Sequence, residues 1–173
     1  MQLEHAVEAD FPAVIDLVNA AYRGHGAQES WNIETGIIEG TRLTDSLLRQ
    51  DIAAKPDARL LVHRNEGSVI IGTVWLEPVQ NDAWYLGLFT IDPALQKQHL
   101  GRALLTAAED FARAQGARSI RMGVLNVRHA LIAWYQRRGY SLTGESEPYP
   151  YGDNRFGTPL RDDLTFVILQ KQL

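Results

Sequence analysis

The stretch that decides the fold is IDPALQKQHLGRALL, residues 91–105. It follows an apolar, strand-like run that begins at Trp84, and its last residues open an amphipathic helix. A short polar turn between a strand and a helix directs backbone N–H groups towards an anion. Lys97 and Arg102 add positive side chains at this turn. The stretch therefore predicts a site for a ligand that carries phosphate.

The composition is that of an ordinary soluble globular protein. The chain has 173 residues, of which 45% are hydrophobic and 22% are charged. This length suffices for one hydrophobic core, and no repeat or linker divides it, so we predict a single domain over residues 1–173. The absence of cysteine excludes a disulfide framework, a thiolate metal site and a cysteine nucleophile.

Charge and hydropathy narrow the class of partner. The net charge of −4 argues against nucleic acid, because binding its phosphates needs a dense basic face. The apolar runs are much shorter than the roughly 20 residues of a membrane helix. The first residues lack the basic and apolar regions of a secretory signal. We therefore expect a cytoplasmic protein that binds neither nucleic acid nor membrane.

Hydrophobic periodicity and turn residues predict the element order β, α, α, β, β, β, α, β, α, β, β. The predicted helices cover residues 11–22, 44–54, 100–115 and 128–138. The predicted strands cover residues 3–7, 59–63, 69–79, 83–91, 119–125, 140–145 and 164–169. A helix joins the fourth and fifth strands, which implies a right-handed parallel crossover, whereas hairpins imply antiparallel pairing elsewhere. The pattern predicts an α/β protein with a mixed sheet and helices on its faces.

Two segments match a known family. The first is Gln96-Lys97-Gln98-His99-Leu100-Gly101, which fits a pattern of Gln or Arg, two residues, Gly, one residue, and Gly or Ala. The second, an aromatic helix that ends in glycine and an aromatic residue, is Trp134-Tyr135-Gln136-Arg137-Arg138-Gly139-Tyr140. Through these segments the chain resembles the GNAT family of N-acetyltransferases, which transfer an acetyl group from acetyl-CoA to an amine.

The resemblance implies the GNAT fold, a mostly antiparallel sheet with parallel, splayed fourth and fifth strands and helices on both faces. It implies direct transfer to a primary amine of a small molecule or amino-acid-like acceptor, with acetyl-CoA as co-substrate and no metal. Many members form dimers, which leaves a homodimer open. The alternatives are a CoA-binding sensor or scaffold without turnover, an interaction domain that has lost the ligand, and a protein N-terminal or lysine acetyltransferase.

The resemblance also implies where CoA would bind. Its pyrophosphate would lie at the positive end of the helix dipole, on the backbone N–H groups of Lys97, Gln98, His99, Leu100, Gly101 and Arg102. Its pantetheine arm resembles a peptide and would pair like an added strand with backbone groups of Phe89, Thr90 and Ile91. The arm would thus extend the sheet in the space between the splayed strands.

Two positions depart from the family pattern around the cofactor. His99 stands where a glycine would let the backbone approach the pyrophosphate closely. Arg128 stands where many members carry an asparagine that contacts the pantetheine arm. Arg128 could make that contact or bind an acidic group of the acceptor, and Asn126 is a competing candidate.

The resemblance implies an acid but leaves the base open. The family's usual catalytic tyrosine maps onto Tyr135, which would protonate the departing CoA thiolate. Some members place a general-base glutamate in the fifth strand, where this chain has Gly123. The base must therefore come from elsewhere or from water. Glu77 is the leading candidate, with Tyr85 and His5 as alternatives.

Strand alternation places Glu77 on the same side of the sheet as Trp75 and Val79. The sequence does not reveal which side of the sheet that is. A carboxylate that reaches the acceptor through one water could remove its proton.

The loop at residues 147–161 is long, aromatic and rich in proline and glycine. Loops of this kind often form lids or binding surfaces. In the family, the acceptor meets this loop and the loop between the first two helices. We therefore expect the acceptor pocket to be shaped by Trp31, Tyr85, Tyr149, Tyr151 and Arg155.

Overall fold

The computed structural model of the protein describes residues 1–24, 33–95 and 99–173. The helices are Phe11–Arg23 (α1), Asp45–Ala54 (α2), Leu100–Ala114 (α3) and His129–Gln136 (α4). The strands are Glu4–His5 (β1), Ile38–Glu39 (β2), Arg59–Arg64 (β3), Ile70–Pro78 (β4), Ala83–Ile91 (β5), Ser119–Leu125 (β6), Ser141–Pro148 (β7), Thr158–Pro159 (β8) and Thr165–Gln172 (β9). Every predicted helix and strand is present, and the ends differ by a few residues, as element ends commonly do.

The large sheet has seven strands in the order β1-β3-β4-β5-β6-β9-β7. Neighbouring strands pair antiparallel except β5 and β6, which are parallel and are connected through α3. A parallel pair needs such a crossover, because a tight hairpin can join only antiparallel strands. The sheet is therefore mixed and mostly antiparallel, as the sequence predicts.

Helices cover both faces of the sheet. Successive strand residues point to opposite faces, so each strand contributes side chains to the core on either side. On one face, Leu104 of α3 and Tyr135 of α4 share a buried cluster with Leu61 of β3. On the other face, Val14 of α1 and the α2 side chains cluster with Val62 of β3. Each such aliphatic side chain contributes about 1.5–3 kcal/mol of transfer free energy. The sheet is thus held between two cores, with β5 near its centre.

The parallel pair of β5 and β6 separates partway along its length. Within the described residues the ladder joins only Ala83, Trp84 and Tyr85 to Ser119, Ile120 and Arg121. Beyond Tyr85, the register of β5 with β4 shifts, and Leu88 adopts a left-handed φ of 44°. A non-glycine residue with such a φ is uncommon and is often found at functional sites. The separation confirms the expected splay and opens a gap at the carboxyl ends of both strands.

A two-stranded ribbon of β2 and β8 joins the chain after α1 to the chain before β9. The sequence does not predict it, because two-residue strands are too short to show a period. Arg23 reinforces the connection: its Nε donates to Gly40 O at 2.8 Å, and its other nitrogens bind Glu34 and Phe156 O. Parts of the two loops expected to meet the acceptor are therefore hydrogen-bonded to each other.

Gly157 is the position at which this ribbon requires glycine. Its φ is 97°, and a Cβ there would overlap the carbonyl oxygen of Glu39. We predict that Gly157→Ala lowers the free energy of unfolding by about 1–3 kcal/mol, measured by urea unfolding. Gly144→Ala is the matched control, because Gly144 has a φ of 84° but open space around the added methyl group. Equal losses in the two variants would contradict the steric role of Gly157.

Candidate active site

The gap between β5 and β6 forms one wall of a cavity of about 330 Å³, which we call the cleft. Its volume lies at the lower end of the range of small-molecule sites, about 300–1,000 Å³. The bulged part of β5, the end of β6, one side of α4 and the two loops joined by the ribbon surround it. Its lining includes Tyr22, Arg42, Tyr85, Leu88, Phe89, Gly123, Arg128, Tyr135, Glu147 and Tyr149.

A second cavity of about 470 Å³, the outer pocket, lies on the α2 side of the sheet. Leu47 and Asp51 of α2 and Trp75 and Glu77 of β4 line it. Both cavities are lined by Arg42, Tyr85, Gly87, Leu88, Glu147 and Phe156. The cavities are therefore neighbours along the bulge of β5, and a ligand with two parts could occupy both.

Tyr135, the predicted acid, lies in α4 and lines the cleft. Its buried ring packs against Phe89 at 6.3 Å and Trp134 at 5.0 Å between centroids. Burial raises the pKa of the Tyr135 hydroxyl far above its ordinary value, and nearby tyrosines raise it further. The hydroxyl is therefore neutral at physiological pH, which is the state that a proton donor needs.

His99 caps α3 in an unusual backbone conformation. Its φ of 57° and ψ of 11° are left-handed, and its carbonyl oxygen accepts from Arg102 N at 3.1 Å and Ala103 N at 3.2 Å. Glycine reaches positive φ without steric cost, which explains why the family pattern has glycine at this position. Histidine is tolerated in the left-handed region more often than most residues. His99 therefore preserves the turn at some cost in backbone strain.

At the start of α3 the N–H groups of Leu100 and Gly101 have no acceptor within the helix, whereas that of Arg102 donates to His99 O. Leu100 packs against the core, and a Cβ on Gly101 would lie 3.6 Å from Trp134. Arg102 is exposed at the same turn. Lys97 and Gln98, the other predicted contacts, lie outside the described residues. The described part of the turn has the N–H groups and the charge that an anion needs.

Phe89, Thr90 and Ile91, the residues expected beside the pantetheine arm, are buried in β5. On one side, Thr90 pairs with Thr73 and Ile91 pairs with Gly72 of β4. On the other side, no described residue of β6 pairs with them. This part of β5 therefore has an edge that an extended, peptide-like ligand could join.

Arg128 lines the cleft, whereas the competing Asn126 is used elsewhere. Asn126 Nδ2 donates to Asp163 O at 2.9 Å, and its Oδ1 accepts from Thr165 N at 3.1 Å. These bonds fix the start of β9 against the end of β6. The geometry therefore favours Arg128 as the polar contact at the cleft.

Glu77 faces the outer pocket together with Trp75, as strand alternation predicts. Its Oε2 accepts from Lys55 Nζ at 2.7 Å and from Trp75 Nε1 at 3.1 Å. These two hydrogen bonds fix the position of the carboxylate at the wall of the pocket. The side chain of Glu77 is 15% exposed, which leaves it accessible from the pocket.

His5, an alternative base, lies on β1 at the edge of the sheet. Its ring contacts Phe111 with centroids 5.8 Å apart. It lines neither the cleft nor the outer pocket. The structure therefore places His5 outside both cavities, which argues against it as the base.

Three of the expected acceptor residues meet at the two cavities. Tyr85 lines both of them, and burial raises the pKa of its hydroxyl. Tyr149 lines the cleft. Arg155 lines the outer pocket and pairs with Asp51 of α2.

Of the other two residues expected to shape the acceptor pocket, one lies away from both cavities and the other lies outside the described residues. Tyr151 lines neither cavity; it is 46% exposed, and its hydroxyl accepts from Leu164 N at 2.8 Å. Its contact supports the loop before β9 rather than a ligand. Trp31 lies outside the described residues.

Arg42 and Glu147 line both cavities, although no motif marks them in the sequence. Arg42 follows the irregular stretch after α1, and Glu147 lies near the end of β7, a strand whose residues are all exposed. Only the folding of two distant loops brings them together. The one sequence signal near either residue is the aromatic composition of the loop that begins at Glu147.

Within residues 1–24, 33–95 and 99–173, no group of three or more His, Asp or Glu side chains could hold a metal ion. In the same part of the chain, no helix is long and apolar enough to cross a bilayer.

Comparison with solved structures defines the class of fold. The ribosomal-protein-alanine N-acetyltransferase from Brucella melitensis superposes with a TM-score of 0.71 over 100% of both chains, at 20% identity. At this identity the match concerns the fold alone. The match shows that this chain shares the α/β fold of that protein over its whole length.

The sequence comparison then gives the family. Residues 25–140 match the model of the Acetyltransferase (GNAT) family, so the chain belongs to this family, whose members use acetyl-CoA. An IAA acetyltransferase from Azospirillum brasilense is 30% identical over 107 residues, which cover 61% of this chain and 69% of that protein. A mycothiol acetyltransferase from Propionibacterium freudenreichii is 24% identical over 152 residues, which cover 86% of this chain and 46% of that protein. The chain thus spans less than half of the second relative.

The buried hydroxyl of Tyr135 predicts a loss of stability at alkaline pH. Its folded-state pKa is raised above the ordinary value of 10.0, so the unfolded chain releases this proton first. The stabilisation of the folded state that comes from this pKa difference is fully present below pH 10 and decreases as the pH rises above 10. We predict that wild type loses about 1.4 kcal/mol more per pH unit than Tyr135→Phe above pH 10, measured by urea unfolding. A parallel decline in both proteins would contradict the assignment.

Proposed function

We propose that this protein is an acetyl-CoA-dependent N-acetyltransferase that transfers the acetyl group directly to a primary amine of a small-molecule or amino-acid-like acceptor. The observation that carries the proposal is the cleft, where two parallel strands separate beside a buried, neutral tyrosine. Family membership supports acetyl transfer as the reaction. We further propose that residues 1–173 form one catalytic domain and that it acts in the cytoplasm.

In this proposal acetyl-CoA lies along the free edge of β5. Backbone groups of Phe89, Thr90 and Ile91 hydrogen-bond the pantetheine arm, and Arg128 contacts it from α4. The pyrophosphate lies at the start of α3, near His99, Leu100, Gly101 and Arg102, and Lys97 and Gln98 remain further expected contacts. This arrangement directs the thioester into the cleft, beside Tyr135 and the bulge of β5.

Tyr135 acts as the acid. The acceptor nitrogen attacks the thioester carbonyl carbon, a C–N bond forms, and the C–S bond breaks. The Tyr135 hydroxyl gives its proton to the departing sulfur, the nitrogen that has attacked loses one proton to solvent as the amide forms, and the tyrosinate recovers a proton from solvent. This hydroxyl carries its proton across the physiological pH range, so the donor state is populated; burial makes it a weaker acid, and the proton moves as negative charge develops on the sulfur. Direct transfer also fits a chain that has no cysteine for an acyl-enzyme.

Glu77 acts as the base. Most amine acceptors are protonated at neutral pH and must lose a proton before they attack. Glu77 is held in position by hydrogen bonds from Lys55 and Trp75 and faces the outer pocket, so it can take this proton through one water. The acceptor then occupies the outer pocket and the adjoining part of the cleft, against Tyr85, Tyr149 and Arg155.

The role of Tyr135 is tested by Tyr135→Phe. We predict that kcat falls by about 100- to 10,000-fold while the KM for acetyl-CoA stays near the wild-type value, measured by release of the CoA thiol. Tyr140→Phe is the matched control, because the Tyr140 hydroxyl is also buried but donates to Glu109 at 2.9 Å, away from the cleft. Wild-type kcat in Tyr135→Phe would remove it as the acid. Binding of acetyl-CoA without thiol release for any amine would favour a sensor instead.

The role of Glu77 is tested by the pH dependence of Glu77→Gln. We predict a loss in kcat/KM of about 100-fold at pH 7 that shrinks towards pH 10, because the free amine then needs no base. Glu66→Gln, in the exposed turn between β3 and β4, is the control for a neutralised surface carboxylate. A pH-dependent loss in Glu147→Gln but not in Glu77→Gln would assign the base to Glu147.

A further inference from the structure

The guanidinium of Arg42 is held at the boundary of the cleft and the outer pocket. It lies 5.3 Å from the ring centroid of Tyr22 and 4.8 Å from that of Phe156. Its backbone is fixed by Asn19 of α1, whose Oδ1 accepts from Arg42 N at 2.8 Å. Two aromatic faces and a fixed backbone thus hold the cation in place before any ligand binds.

The charge of Arg42 is not neutralised by the described parts of the chain. The neighbouring arginines each have a carboxylate, since Arg23 pairs with Glu34 and Arg155 pairs with Asp51. Arg42 forms no ion pair with a described residue, and its guanidinium donates no hydrogen bond to one. A guanidinium has five N–H donors in a planar fork that matches a carboxylate. Arg42 therefore offers the cavities an oriented and unused anion site.

Tyr149 adds a second unused donor to the cleft. Its side chain is 2% exposed, and its hydroxyl is buried without a hydrogen-bond partner among the described residues. Burial raises the pKa of this hydroxyl, and the charge of Arg42 lies close enough to oppose that shift. A buried hydroxyl without a partner destabilises the fold, and a ligand acceptor would remove that cost. The hydroxyl and the guanidinium thus fit one oxyanion.

Glu147 lines the same two cavities and forms no ion pair with a described residue. The shared wall therefore carries one cation and one anion that are not bonded to each other and that have no ion-pair partner in residues 1–24, 33–95 and 99–173. A zwitterion complements this arrangement, because its anionic group can bind Arg42 while its ammonium group faces the carboxylates of Glu147 and Glu77. The phosphates of CoA are not the partner of Arg42, because Arg42 packs on α1, on the face of the sheet opposite α3.

We propose that Arg42 and Tyr149 bind the carboxylate of the acceptor, so that the substrates are amino acids or closely related amines that carry an oxyanion. The proposal rests on the acetyltransferase function proposed above and narrows its acceptor class. Recognition by a fixed guanidinium and a buried hydroxyl would exclude simple amines and amino acid amides, because these would leave both donors unpaired.

The test compares matched acceptors. Thiol release from acetyl-CoA is measured with the twenty L-amino acids, the corresponding L-amino acid amides and the corresponding decarboxylated amines. For the side chain that supports the fastest reaction, we expect kcat/KM for the free acid to exceed that for the amide and the amine by about 10- to 100-fold. Equal or better use of the amide or the amine overturns the proposal and leaves acetyl transfer intact. Lack of thiol release with any amine overturns the proposed function and this inference with it.

Variants assign the preference to Arg42. Arg42→Gln is expected to lower kcat/KM for the free acid about 10- to 100-fold and to change that for the amide little, with an unchanged KM for acetyl-CoA as the check on folding. Arg42→Lys keeps the charge but loses the fork and should recover part of the activity. Tyr149→Phe should reduce the preference for the acid in the same direction. An undiminished preference in Arg42→Gln overturns the assignment.

Arg49→Gln is the matched control for the loss of a guanidinium stacked on a ring. Arg49 lies 5.2 Å from the ring centroid of Phe11 on the outside of α2 and lines neither cavity. We expect Arg49→Gln to keep the wild-type ratio of kcat/KM between acid and amide. A loss of preference equal to that of Arg42→Gln would show that the effect is not specific to the site.

Discussion

The loss of pairing between β5 and β6 after Tyr85 is the constraint on which the site depends. Up to this residue the strands share a ladder, and beyond it the bulge at Leu88 turns β5 away. Backbone groups that lose a partner must find another or meet water. The separation therefore creates both the cleft and a free strand edge in its wall. A buried strand edge of this kind is compatible with stability only where a ligand or solvent can satisfy it.

The two faces of the sheet supply different parts of the site to this gap. From one face, α3 brings an N-terminus for an anion and α4 brings the neutral hydroxyl of Tyr135. From the other, α2 and β4 bring the carboxylate of Glu77, held by Lys55. The loops joined by the β2–β8 ribbon add Arg42 and Tyr149. The proposed cofactor side consists of regular elements, whereas much of the proposed acceptor side consists of loops, which can change between relatives without loss of the fold.

Local patterns in the sequence correctly predict the strands and helices that form the proposed cofactor side. The strand–turn–helix at residues 91–105 and the aromatic helix with Tyr135 each fit within a short window, so period and spacing suffice. The acceptor side is different, because Arg42 and Glu147 meet through contacts between loops far apart in the chain. Tyr151 is one of the aromatic residues expected to shape the acceptor pocket, but its hydroxyl instead accepts a hydrogen bond from Leu164 N. The left-handed backbone conformation of His99 could not be predicted from the sequence either, because a histidine residue can have negative or positive φ and only the folded turn shows which.

Hydrogen exchange with and without acetyl-CoA tests the central claim most directly, because it reports on the free edge of β5 and the start of α3 together. Saturating acetyl-CoA should slow amide exchange in residues 86–91 and 99–104 and leave β1 and β3 almost unchanged. Calorimetry on the same sample should show binding. No binding at millimolar acetyl-CoA, or protection confined to regions outside these two segments, would contradict the account.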